Sequence, residues 1–440
     1  MRQAGPMVLA NAVVPLAGVV DTAVIGAIGG SSELGGIALG ATLFNLLYTT
    51  FYFLRMGTSG LAAQAEGASD RPELQRVLLR ALAVAVVGGG AMVLASPLLS
   101  AAGLAFFQGG QAVESAGRAY FQARVLGAPS TLISFAITGW LIGRGRSGMV
   151  LWMSAVASLT NIVLDLVLVS VFGLGVAGIG YATAAADTAG AIVGLVLVYR
   201  IIRSEGGLLP EATRRATLLA PGTLRLLVSL NTDMMVRSWG LLAGFAWFVS
   251  IGASQGDAVL AGNHVLIQVI TVWSFVLDAF AFTAETGVGR AFGQRSRQAL
   301  RHAIRLTSEI ALLFGLCASV LTFVAGPLLL EIWIADPQTL AAAQRYLPYC
   351  ALVPLLGVPA WQLDGIFIGA TRSAAMRNAS VVSLVLYVLL DQGLKPLGVD
   401  GMWVAFVGYY LLRGVTLGWA YPALERSLPE QGPAQGGVEW

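Results

Sequence analysis

Long, nearly unbroken apolar runs recur along the whole chain, and polar residues collect in short gaps between them. A helix that crosses a bilayer needs roughly 20 mostly apolar residues. Twelve runs qualify: 6–29, 35–65, 76–102, 115–143, 149–172 and 175–203, then 222–253, 258–290, 301–331, 341–370, 375–394 and 399–424. They predict an all-α integral membrane protein. The longest polar connector, SEGGLLPEATRRATLLAP at 204–221, separates a six-helix lobe at 1–203 from a second at 222–428. The tail at 429–440 is rich in Gly, Pro and Gln and is expected to be disordered. The first run is too long for the apolar core of a signal peptide and reads as a retained span.

The halves repeat. A shift of 226 residues carries Ile25-Gly26-Ala27 onto Ile251-Gly252-Ala253, Tyr120 onto Tyr346 and Leu164-Asp165 onto Leu390-Asp391. The same shift lays TGWLIGRGRS (138–147) on DGIFIGATRS (364–373). After a three-residue gap, LGVAG (174–178) meets LGVDG (397–401). Six helices per repeat is an even number, so both halves keep one orientation. Two parallel bundles about an axis along the membrane normal, with a cavity between them, are the expected result.

Charge fixes the expected orientation. Connections after even-numbered helices carry the arginine groups, among them Arg144 with Arg146, Arg214 with Arg215, Arg295 with Arg297, and Arg372 with Arg377. Connections after odd-numbered helices carry little beyond Arg118, Arg345 and Lys395. The positive-inside rule places both termini in the cytoplasm of a multi-pass protein of the cell's inner (plasma) membrane. Composition agrees: 57% of residues are hydrophobic and 11% charged, against roughly 25% charged in soluble domains. A net charge of +3 spread over short loops gives no nucleic-acid surface. Two cysteines in or beside apolar runs, Cys317 and Cys350, predict neither a disulfide framework nor a metal centre.

Charges inside the apolar runs are the candidate chemistry, because an ionisable group at that depth is costly. Pro6–Gly29 holds one, Asp21, six residues after Pro15. Pro15 cannot donate to the Asn11 carbonyl, so the helix can bend there. Asn161 and Asp165 share a face of helix 5, while Thr183 and Asp187 are one turn apart on helix 6. With Asp21 they can hold a proton between acids or coordinate Na+ through hard oxygens. A polar network that only joins helices is the other reading.

The second half carries a different set. Asp233 and Arg237 are four apart on helix 7 and are placed to neutralise each other. Asp278 and Glu285 share a face of helix 8, and Asp364 opens the second copy of the helix-4 motif. The repeat position of Asp21 is Trp247. Arg55 and Arg413 are expected in structural ion pairs. Trp140, Trp152, Trp239, Trp247, Trp273, Phe280, Phe282, Trp361 and Met56 are candidates to line a cavity for hydrophobic cations, or to face lipid. No Walker loop, HExxH or GxSxG occurs, so no enzyme is expected.

The motifs VVDTAVIG, NIVLD, GVAGIGYAT, LDAFAFTAETGVGRAFG and LDGIFIGATRS, in this order, resemble the multidrug and toxic compound extrusion (MATE) family, in its DNA-damage-inducible (DinF-like) branch. The resemblance covers essentially the whole chain. It implies two six-helix lobes in a V shape and an antiporter that expels organic, often cationic amphipathic compounds against inward H+ or Na+. It places the helix-1 carboxylate on Asp21 and the first-lobe polar network on Asn161, Asp165 and Thr183. The chain departs from branches that build a second-lobe cation site around a helix-7 glutamate, since Asp233 and Arg237 stand there instead. The implied cycle protonates Asp21 and Asp165, bends helix 1 at Pro15, expels the compound and then releases the protons inward. Small organic molecules, the coupling ion and the bilayer are the expected partners, with no cofactor and a monomer as the working unit. A lipid-linked oligosaccharide flippase of the same superfamily and an integral membrane enzyme are the alternatives.

Overall fold

The computed structural model describes residues 31–107, 110–214 and 220–429, together with Gly5 and Met7. The first predicted helix, with Pro15 and Asp21, lies outside the described residues, as does the tail beyond Pro429. The remaining helices keep the numbers of their predicted counterparts. Helix 2 runs over Ser32–Gly67, helix 3 over Arg71–Leu94, helix 4 over Gln111–Gly143, helix 5 over Ser147–Val171 and helix 6 over Gly175–Ser204. Helix 7 is Pro221–Ala253, helix 8 Asp257–Gly293, helix 9 Arg297–Trp333 and helix 10 Pro337–Gly369. Helix 11 is Ser373–Leu394 and helix 12 Gly398–Gly418.

Three local breaks that the apolar pattern hides lie beside prolines. Helix 3 ends at Leu94, and a separate helix starts at Ser96, because Pro97 has no N–H to offer the preceding turn. Helix 4 tightens to a 3-10 turn over Val125–Gly127, just before Pro129. Helix 10 restarts at Val358 ahead of Pro359. Helix 5 differs from these: it is α-helical to Asp165 and then widens to a π turn over Leu166–Val171. The first copy has three more residues than the second between this aspartate and the LGV motif, and a π turn absorbs added residues without ending the helix.

The chain forms two compact units that divide between Asn231 and Thr232, inside helix 7. In the first, helix 4 is central and packs on helices 2, 3 and 6, while helix 5 lies on helix 6. Gly139 and Gly143 let helix 4 touch the backbone of Arg55 and Ser59 on helix 2. In the second, helix 10 packs on helices 8, 9 and 12, and helix 11 lies on helix 12. Gly365 and Gly369, each 226 residues after its twin, press on the backbone of Ala281 and Glu285. A side chain at any of these four glycines would overlap the facing backbone, so the repeat preserves the helix spacing.

Large apolar groups point outward along the helices, Leu94 at 85% exposure and Trp419 at 76%, as expected where the solvent is hydrocarbon. At the end of the first unit Arg144 reaches Glu66 at 2.9 Å and Glu205 at 2.7 Å while its guanidinium lies 4.8 Å from the Trp140 ring centroid. Gln75 donates to the Gly207 carbonyl and accepts from Leu209 N–H, so the start of the connector is fastened to helix 3.

Candidate functional site

The first unit brings Asn161, Asp165 and Thr183 together. Helices 5 and 6 pack against each other along their length. Asn161 Nδ2 donates to Thr183 Oγ1 at 3.4 Å, and Thr183 Oγ1 donates to the Ile179 carbonyl at 2.9 Å. Asp165 has no exposed surface and Asn161 is 4% exposed. The π turn begins at the residue after Asp165, a distortion often found at working sites. Asp21 lies outside the described residues, so its place in this group is not on view.

Asp187 sits one turn beyond Thr183 on helix 6 and turns to helices 4 and 2. Thr131 Oγ1 donates to Asp187 Oδ2 at 2.6 Å and lies 3.3 Å from the Tyr48 hydroxyl. Ser130 and Thr188 hydroxyls pair at 3.0 Å alongside. Arg124, which the reading by apolar runs passed over, is part of the same cluster. Its Nη1 donates to the Tyr120 hydroxyl at 2.5 Å, and its guanidinium lies 4.8 Å from the Phe44 ring centroid. One signal was available: a charge well inside the 115–143 run.

The second unit pairs its charges across helices. Arg237 and Arg413, from helices 7 and 12, both bond Asp364 Oδ2 on helix 10, the latter at 2.8 Å. Asp233 instead accepts from Arg377 at 2.6 Å and from Ser373 at 2.7 Å. The expected Asp233–Arg237 neutralisation is therefore corrected. Both side chains are buried, and each is bonded by a group on another helix rather than along its own. The ion pair expected for Arg413 is present. Glu285 is fully buried and Asp278, seven residues earlier, half-buried on helix 8. Neither is brought to Asp364 by a hydrogen bond or salt bridge among those between described residues. Trp247 Nε1 donates to Asp391 Oδ2 at 3.1 Å.

Of the tryptophans, two face outward and two are tied into the helix packing. Trp152 and Trp239 are exposed on helix surfaces. Trp140 donates to the Leu74 carbonyl and Trp273 to Thr322, so both serve packing. Among the described residues no three His, Cys, Asp or Glu side chains converge as a metal site.

A repeated set of membrane-spanning helices, with apolar outer faces and polar groups gathered within each unit, is the architecture of a multi-pass secondary transporter. The MatE family profile matches residues 6–167 and 232–392, two segments that begin 226 residues apart. The chain belongs to this family. It is 36% identical over 421 residues to the DNA damage-inducible protein F of Escherichia coli, covering 94% of this chain and 89% of that protein, which places it in the DinF-like branch. The probable multidrug resistance protein NorM of Deinococcus radiodurans is 26% identical over 452 residues, with 95% and 93% covered. The fold matches a crystal structure of MATE in the straight conformation at TM-score 0.86 and 18% identity, with 97% and 95% covered. A structure titled as the outward-facing conformation of a multidrug resistance MATE family transporter matches equally well, at TM-score 0.86.

Proposed function

We propose that this transporter exports organic, often cationic amphipathic compounds in exchange for H+, with Asp21, Asn161, Asp165 and Thr183 as the coupling group. The observation that carries the reading is Asp165, without exposed surface, beside the Asn161–Thr183 bond and at the start of the π turn. A carboxylate at that depth is expensive unless it works. A helix already widened after it can re-pack when its charge changes. Protonation of Asp165 and Asp21 favours one packing of helices 1 and 5, and bound compound favours the other, which is what coupling requires. The names of the NorM relative and of the outward-facing structure support multidrug export.

The proton is preferred over Na+ because the helix-7 and helix-10 carboxylates of the second lobe are already held by cations. Asp364 is taken by two guanidiniums, and Asp233 by Arg377 and Ser373. The same two pairings argue against a flippase, whose cavity needs arginines available to a pyrophosphate. Asp187, Asp278 and Glu285 remain candidates for the substrate cavity, and Pro15 for the hinge. The working unit is a monomer in the inner membrane, and the arginine alternation supports cytoplasmic placement of both termini.

The test is dye export by reconstituted vesicles with the pH and Na+ gradients imposed separately. Export should follow the pH gradient. Export that persists with ΔpH collapsed and follows only Na+ would overturn the proton reading.

A further inference from the structure

Helix 9 lies at the edge of the second unit, and its two faces have different surroundings. The stripe Ala303, Thr307, Ala311, Gly315, Ala318 and Thr322 is buried against helices 8 and 10. The opposite face is exposed, and from Leu312 to Leu329 it is apolar, with Leu313, Leu316, Val320 and Val324 at helical spacing. That stretch is about 27 Å long at 1.5 Å per residue, close to the roughly 30 Å of a hydrocarbon core. Exposed carboxylates, Glu309 and Glu331, bracket it. Beyond Glu309 the same face carries Arg305, His302 and Arg301, all exposed. With Ser296, Gln298 and Ala299 they line an open hollow of about 490 Å³.

This end of the second unit is strongly basic. Between residues 290 and 309 the chain has five arginines and one acid, Glu309. Arg297 donates to the Leu428 carbonyl at 2.7 Å, Arg301 to Glu425, and Arg305 to Glu309 at 2.7 Å. The Arg301 and Arg305 side chains nevertheless stay 65% and 81% exposed. Ion pairs this exposed contribute little, so they do not withhold the guanidiniums from a stronger acceptor. A phosphate is such an acceptor, because a guanidinium can hold it through two parallel bonds. The helix terminus itself is not the attraction, since Ser296 Oγ already caps it by accepting from Ala299 N–H at 3.2 Å. Nor does the repeat require these charges. The first-copy counterparts of Arg301 and Arg305 are Gln75 and Leu79, and Gln75 is bonded to the connector at Gly207 and Leu209.

We propose that this hollow takes the headgroup of an anionic phospholipid from the leaflet beside it, with Arg301, His302 and Arg305 holding the phosphate and the acyl chains lying along Leu306, Leu313 and Leu316. The basic turns and the apolar face are continuous on one helix, which favours a ligand that has both a phosphate and chains. A soluble anion uses only the first, and a zwitterionic lipid offsets part of the attraction with its own cation. The arginine alternation makes this the cytoplasmic leaflet, whose anionic lipids draw basic residues at the membrane surface. The site goes beyond the export reading and needs neither its substrate nor its coupling ion. Only the choice of leaflet rests on the orientation proposed above.

The test is lipid binding to the full chain in detergent, read by native mass spectrometry. Dioleoyl-phosphatidylglycerol and dioleoyl-phosphatidylcholine serve as probes with identical chains. The unmodified protein should hold the anionic lipid about fivefold or more tighter than the zwitterionic one. Arg305→Gln should weaken the anionic lipid about fivefold, from roughly 1 kcal/mol per basic residue near an anionic surface. Arg301→Gln and Arg305→Gln together should leave it no better held than the zwitterionic lipid. Arg146→Gln, which removes an arginine from the loop after helix 4, should change neither affinity, and excess inorganic phosphate should not displace the lipid. Equal affinities for the two lipids in the unmodified protein would overturn the site. So would a preference that survives the double variant, or an equal loss in Arg146→Gln, which would reduce the effect to general surface charge. Displacement by phosphate would assign the hollow to a soluble anion instead. The comparison of lipids in the unmodified protein decides the matter even where a variant fails to fold. No gradient is present, so this result and that of the export test stand or fall separately.

Discussion

The same helical unit occurs twice in this chain, and the two copies keep their backbone contacts while exchanging their chemistry. Glycines 226 residues apart press on equivalent backbone positions, Gly139 and Gly365, Gly143 and Gly369. The side chains between those contacts do not correspond. In the first copy Asn161 and Thr183 form a polar pair beside Asp165. Their counterparts are Tyr387 and, in the LGV register, Phe406, with Tyr409 stacked on Tyr387 at 4.8 Å. The one carboxylate kept, Asp391, is bonded by the indole of Trp247, which stands where the first copy has Asp21. The first copy has a π turn after its aspartate, whereas the second is α-helical through Asp391 to Leu394. Helix packing is thus common property of the repeat, while the Asn161–Thr183 pair beside an aspartate and a π turn belongs to the first copy.

The largest effect expected from this difference is on transport. Asp165→Asn should reduce pH-gradient-driven export to background, while Asp391→Asn, at the equivalent position, should leave most of it. The assay is dye export in proteoliposomes, normalised to protein inserted. Equal losses would erase the functional distinction between the copies. Next comes the charge cluster of the second copy. Asp364→Asn leaves Arg237 and Arg413 buried without their shared carboxylate, and breaking a buried pair costs about 3–5 kcal/mol. A large drop in unfolding temperature should therefore accompany whatever export remains. A variant of unchanged stability that had lost export would move the coupling site to the second copy.

The repeat and the apolar spans were legible because both rest on one-dimensional signals, hydropathy and a fixed shift. The described helices 2 to 12 match their predicted counterparts to within several residues, helix 3 apart, where Pro97 starts a new segment. Partner choice was not legible. Asp233 and Arg237 look like an ion pair when only spacing along one helix is considered, yet each pairs across helices, with Arg377 and Asp364. Arg124 was hidden because it sits in an apolar run and its hydroxyl and aromatic partners lie on different turns and a different helix. Aligning the repeats would have exposed it, since its counterpart is Cys350.

A smaller effect is expected at the end of the first unit. Arg144 bonds both Glu66 and Glu205 with little exposure of its own side chain, and its counterpart, Ala370, has no such role. Arg144→Ala should cost about 2 kcal/mol, the range for hydrogen bonds to charged groups. It should also speed hydrogen exchange at 204–209. Exchange unchanged there would show that Gln75 alone holds the connector.

The smallest effect concerns the start of helix 10. Asp336 caps it, with Oδ2 accepting from Thr339 N–H at 2.8 Å and from the Thr339 hydroxyl at 2.6 Å. The first-copy counterpart, Gly110, has no side chain to cap helix 4. The Thr339 hydrogen bonds favour the charged carboxylate and hold Asp336 below its ordinary value of 3.8. A group depressed by folding contributes stability that is present above its unfolded value and is lost as pH falls through its folded value. Protection of the amides at 338–340 should therefore decline only in strong acid, below the ordinary carboxylate range. Asp336→Asn, whose side-chain oxygen still accepts from the amide, should remove that acid dependence while keeping much of the protection. Asp336→Ala should lower protection at every pH, and the amides after Gly110 should respond to neither change. An unaltered acid profile in Asp336→Asn would show that another group governs the opening of this turn.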